Sequence, residues 1–105
     1  SARMAATDIS EELVFFEDEG ERSLSVSPNP VKGLTTVRFT QEVKGKVTLN
    51  VHNLLGQVVK TIAHEDFAEG NHEISVDMTE QQSGLYVFEL QKINRSEKIR
   101  VSVEK

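Results

Sequence analysis

Apolar and polar side chains alternate with period two from Leu24 almost to the end of this 105-residue chain. Leu24 and Val26 are interleaved with Ser25 and Ser27, and Val37 and Phe39 with Arg38 and Thr40. Val47, Leu49 and Val51 face Thr48, Asn50 and His52, while Ile74 and Val76 alternate with Glu73, Ser75 and Asp77. Tyr86, Phe88 and Leu90 share one side, as do Ile99, Val101 and Val103 opposite Lys98, Arg100 and Ser102. Gln57–Ile62 is β-rich too, although its adjacent Val58 and Val59 blur the pattern. Successive strand side chains point to opposite faces, so this pattern predicts seven strands, each with one dry and one wet face.

The punctuation agrees. Pro28 and Pro30 bracket Asn29 and end the first strand. Gly33, Lys44-Gly45, Glu69-Gly70 and Ser83-Gly84 supply turns suited to positive φ. Asn53-Leu54-Leu55-Gly56 reads as a four-residue hairpin loop with Gly56 in the left-handed position, and Asn94-Arg95-Ser96 closes the last hairpin. Only Asp77–Gln81 has room for a helical turn, capped by Asp77. Short strands at this spacing predict an all-β fold, a seven-stranded antiparallel immunoglobulin-like β-sandwich.

Charge divides the chain. Residues 1–23 carry seven acidic side chains (Asp8, Glu11, Glu12, Glu17, Asp18, Glu19, Glu21) against Arg3 and Arg22, which accounts for the net charge of −5. Residues 24–105 hold ten of each sign. A neutral body with an acidic leader has no attraction for nucleic-acid phosphates or anionic lipid, so neither is an expected partner. No apolar run reaches the roughly 20 residues of a membrane-spanning helix, so direct membrane insertion is not expected. The leader itself has two readings. Leu13-Val14-Phe15-Phe16 is either an extra strand of this domain or the last strand of an upstream one. Such an apolar strand invites pairing with a second copy, hence a homodimer by strand exchange.

A search for chemistry yields no catalytic, cofactor-binding or metal-ligating residues. His52, His64 and His72 have neither i, i+2 spacing on a strand nor i, i+4 spacing on a helix. His64-Glu65-Asp66 is the densest cluster and is expected in a loop, as surface polarity. Ser83-Gly84 precedes a strand, whereas a nucleophile elbow follows one and opens a helix. The glycines are too widely spaced for a phosphate loop. Phe39, Tyr86 and Phe88 fall on inward faces and are read as core. The absence of cysteine excludes disulfides and thiolate sites. The domain is therefore expected not to be an enzyme, whatever its parent protein does.

From Leu24 to Lys105 the order of elements resembles the C-terminal sorting domains of the type IX secretion system of Bacteroidetes. The resemblance is carried by Val26-Ser27-Pro28-Asn29-Pro30, by Val47–Val51 leading into Asn53-Leu54-Leu55-Gly56-Gln57-Val58-Val59, and by Gly70-Asn71-His72-Glu73-Ile74. Ser83-Gly84-Leu85-Tyr86-Val87-Phe88 and the last strand, Lys98-Ile99-Arg100-Val101-Ser102-Val103-Glu104-Lys105, complete it. Gln81-Gln82 departs from the family, which often has an apolar residue there, and is expected to loosen the crossover loop.

The resemblance implies an acidic leader over 1–23, a sorting domain over 24–105, and a signal that carries a parent protein through the periplasm to the cell surface. Its implied partners are the outer-membrane translocon or shuttle and a sortase, with no cofactor. Pro28, Asn29, Pro30, Gly56, Gly70, Gly84 and Tyr86 are expected to be structural. Recognition is expected on Lys98, Ile99, Arg100, Val101, Ser102, Val103, Glu104 and Lys105, a cationic edge strand at the end of the chain. Cleavage is expected within Gly20, Glu21, Arg22, Ser23, Leu24 and Ser25, followed by surface anchoring or release. Two other roles fit the same elements: an uncleaved component of the secretion or signalling machinery, and an immunoglobulin-like accessory module of a surface enzyme.

Overall fold

The computed structural model of the protein describes residues 23–105. The leader, including Leu13–Phe16 and the strand exchange expected of it, lies outside the described residues. Seven strands follow in order: β1 (Ser25–Ser27), β2 (Leu34–Gln41), β3 (Gly45–His52), β4 (Val58–Phe67), β5 (Gly70–Asp77), β6 (Gly84–Gln91) and β7 (Ser96–Val103). They form two antiparallel sheets, β1-β2-β5 and β4-β3-β6-β7, and the described residues include no helix. This is the expected immunoglobulin-like sandwich.

The dry faces are those the alternation selects. Val37 and Phe39 of β2 face Val47, Leu49 and Val51 of β3, with Tyr86, Phe88 and Leu90 of β6 and Val101 and Val103 of β7; all are at most 8 % exposed. Packing two half-apolar sheets face to face removes these side chains from water, about 1.5–3 kcal/mol for each large one. Three further core residues lie outside the alternating runs: Val31 and Met78, both fully buried, and Ala63.

Four local readings need correction. β4 runs on to Phe67, so His64-Glu65-Asp66 sits in a strand, opposite Thr48, Val47 and Lys46 of β3. Its alternation is hidden by two bulges. Ala63 pairs with Leu49 but Thr61 with Asn50, and Lys60 pairs with Val51 but Val58 with His52, leaving Ile62 and Val59 as extra residues. The loop before β4 is five residues long, 53–57, because Gln57 closes it by accepting the Asn53 N–H at 2.9 Å; Gly56 has the expected positive φ of 86°. Asp77–Gln81 is no helical turn. Asp77 Oδ1 accepts the Thr79 N–H and hydroxyl, and Gln81 N–H closes a β-turn on the Met78 carbonyl. Gly45 does not have positive φ; a Cβ there would meet the end of the exposed Ile93 side chain, which would have to swing aside.

The antiparallel order gives the molecule two ends. Ser23 and the 42–44, 68–69 and 92–95 connections lie at one; the 28–33, 53–57 and 78–83 connections and Lys105 lie at the other. Phe88→Ala is expected to lower unfolding stability by about 3–5 kcal/mol. Leu55→Ala, at a residue 83 % exposed, is expected to change it by less than about 0.5 kcal/mol, both read from denaturant midpoints.

Candidate docking edge and chain entry

β7 is an outer strand. It pairs with β6 along its whole length, from Gly84 opposite Val103 to Gln91 opposite Ser96. Ile99, Val101 and Val103 point into the core with Glu97, leaving Lys98, Arg100 and Ser102 on the wet face. The backbone alternates likewise: the N–H and C=O groups of the even-numbered residues point away from β6.

Over the second half of β7 those groups are already taken. Asn29 acts as a short piece of strand, accepting the Ser102 N–H through Oδ1 at 3.0 Å and donating from Nδ2 to the Arg100 carbonyl at 3.2 Å. Val31 continues the pairing: its N–H donates to the Ser102 carbonyl at 2.7 Å, and its carbonyl accepts the Glu104 N–H at 2.8 Å. Two cis prolyl bonds, Ser27–Pro28 and Asn29–Pro30, shape this strap, which ends in a parallel bridge between Val31 and Val103. Lys105 is tied down as well, its N–H on Ser83 Oγ and its ammonium on the Thr79 carbonyl. Among the described residues, the Lys98 N–H and carbonyl and the Arg100 N–H have no backbone partner outside β6. The edge is thus open, among the described residues, over Ser96–Arg100 and closed beyond it.

A second constellation lies beside that open half. Glu97 projects inward with its side chain 6 % exposed. Its Oε1 accepts the backbone N–H of Ser23 at 2.7 Å and of Leu24 at 3.0 Å, and its Oε2 accepts the Ser23 hydroxyl at 3.0 Å. Lys92, its side chain 1 % exposed, stands 3.2 Å from Glu97 Oε2, donates to the Thr40 carbonyl at 2.6 Å and reaches Glu42 at 3.1 Å. Arg95 bridges Glu42 at 3.1 Å and Glu97 at 3.4 Å. Burial pushes the Glu97 carboxyl up, but the hydrogen bonds from Leu24, Ser23 and Lys92 outweigh it and hold it below its ordinary value. Glu42 is also held low: slight burial is overcome by Lys92, its own backbone N–H and Arg95.

A family model described as "Secretion system C-terminal sorting domain" matches residues 25–104. The chain belongs to that family. No curated protein matches it. The domain is a C-terminal sorting signal of the type IX secretion system; it belongs to an exported protein and interacts with the secretion machinery.

The sorting-domain motif residues occupy structural positions. Pro28, Asn29 and Pro30 form the strap; Gly56, Gly70 and Gly84 all have positive φ. The Tyr86 hydroxyl donates to the Gln82 carbonyl at 2.7 Å, so the crossover loop with Gln81-Gln82 is pinned rather than loosened. Of the expected cleavage span, Gly20, Glu21 and Arg22 lie outside the described residues. Ser23 is half-buried, Leu24 is buried, and Ser25 already pairs with Arg38. The histidines lie far apart in the fold. His52 contacts Glu89 at 2.8 Å on the outer face, His64 meets Thr48 at 2.8 Å, and His72 stacks on Phe39 with centroids 5.4 Å apart.

Two expectations follow. Residues Val101–Lys105 include two core valines, so deleting them should cost at least about 3 kcal/mol, seen as a lowered melting transition. A secretion defect in that variant would then report unfolding as much as lost recognition. Because Glu97 and Glu42 are held below 4.5, the stability they contribute is complete above that pH and is lost as pH falls through their lower folded values. Denaturant titrations stepped into acid should show stability declining below pH 4.5, and declining less in E97Q.

Proposed function

We propose that the secretion machinery recognises this domain as a folded body, gripping the open half of the β7 edge by strand addition. The observation that carries this is the one-sided closure of that edge. The strap satisfies the outward groups from the Arg100 carbonyl to the Glu104 N–H, and among the described residues Lys98 and the Arg100 N–H keep unused pairing capacity. An extended segment of a partner gains affinity from such backbone groups, and nearby cations fix its orientation. The recognition residues are therefore Lys98 and Arg100. Ile99, Val101 and Val103 support them from the core, and Ser102, Glu104 and Lys105 serve the closed half.

The partner is an outer-membrane translocon or shuttle protein that meets the domain in the periplasm. The parent reaches the cell surface, where a sortase cuts within Gly20–Arg22, upstream of the fold. The domain contributes no catalysis to these steps. Its work is to stay folded and present an edge.

Lys98→Pro separates docking from folding. The Lys98 N–H points away from β6, so the substitution leaves the β6–β7 ladder intact, as proline is tolerated on a strand's solvent side. With residues 21–105 fused to a periplasmic reporter in a type IX-competent host, surface display should fall at least about tenfold while circular dichroism keeps its β signature. Undiminished display of the folded variant overturns the docking edge.

A further inference from the structure

We propose that Glu97 is a positioning residue that sets the boundary between the folded domain and the chain that precedes it, withholding the peptide bonds from Ser23–Leu24 onward from a processing peptidase. A peptidase needs several consecutive residues free to lie extended in its cleft, with their backbone groups unpaired. Glu97 denies that to the first described residues, because one carboxylate takes both their N–H groups and the Ser23 hydroxyl. Leu24 is then buried at 2 % exposure, and β1 pairs directly after it.

The carboxylate suits this task better than a neutral acceptor. It offers about four lone-pair sites, enough for two amides, one hydroxyl and the Lys92 ammonium. Lys92 in turn reaches Ser23 Oγ at 3.3 Å and the Thr40 carbonyl, so β2, the β6–β7 turn and the chain entry are fastened at one point. Glu97 also stands between Ser96 and Lys98, in the open half of the β7 edge. A partner gripping that edge is therefore at the same end of the sandwich as the junction to be cut. The physiological meaning rests on the sorting reading; the boundary itself does not, and its test needs no secretion host.

Amide hydrogen exchange on the 105-residue chain, near neutral pH, compares the wild type with E97M and with E97M/K92M, in which no side-chain oxygen is left at position 97 to accept the two amides. The double variant also removes the buried cation, which in the single variant keeps Glu42 as its remaining carboxylate partner. Exchange at the Ser23 and Leu24 amides should accelerate at least about tenfold in both variants, while Val51 and Phe88 in the central strands keep their rates. A broad-specificity protease should then yield fragments beginning within Leu24–Ser27 that the wild type does not give. Unchanged exchange at Ser23 and Leu24 overturns the proposal, and so does acceleration that only keeps step with Val51 and Phe88.

Discussion

The backbone groups along the margins of an open sandwich have no ladder partner, and this domain is shaped by how each margin meets that demand. β1 is only three residues long. β4 is long, but it is bulged at Val59 and Ile62 and carries exposed His64, Glu65 and Asp66, so it offers no flat, apolar row. β7 pairs β6 without a register break and buries an apolar face. β5, the outer strand of the other sheet, is equally long and pairs β2 without a register break, so β5 and β7 are the two long regular margins. The strap from Pro28 to Val31 covers half of β7, and the uncovered half carries Lys98 and Arg100. Closure and exposure are thus distributed along a single strand, and on the proposed docking reading that distribution makes the edge directional.

Much of this was legible in the sequence wherever one rule governed one residue. Val37, Phe39, Val47, Leu49, Val51, Tyr86, Phe88, Val101 and Val103 were read as inward from alternation alone, because a sandwich strand that breaks period two must bulge. The extent of β4 was hidden for that reason: at Val58-Val59 and Ile62-Ala63 the bulges place apolar residues side by side. The strap was not legible. Asn29 and Ser102 lie 73 residues apart, and an Asn between two prolines carries a turn signal whatever it later bonds. Met78 was missed because a lone apolar residue between two turns has no period to join. Glu97 was missed because an acidic residue in a strand reads as wet, and only its neighbours in space, Lys92 and the Ser23 and Leu24 amides, make the inward position affordable.

The exchange at Glu97 is a matter of magnitudes. Burying a carboxylate and an ammonium costs several kcal/mol for each ion, and their mutual attraction alone returns about that much. What tips the balance is the entry of the chain. The Ser23 and Leu24 amides precede the first ladder bond, and a buried amide without an acceptor costs about 1–3 kcal/mol. An apolar pair in place of Lys92 and Glu97 would remove the ionic cost and restore that one. The ion cluster is therefore better understood as a terminus for the backbone than as a source of stability in its own right.

That view also explains why the open half of β7 and the chain entry share an end of the molecule. The strap must lie where β1 leaves its sheet, beside the last residues of β7, so the open half of β7 is necessarily the half nearest the chain entry. Glu97 belongs to that half by register, and its inward direction follows from the outward direction of Lys98. A machine that grips the β7 edge is thereby placed beside Ser23 without any separate targeting element. On the proposed reading, edge exposure and chain entry are two addresses that the backbone itself can write, and the antiparallel order of the sheets brings them together.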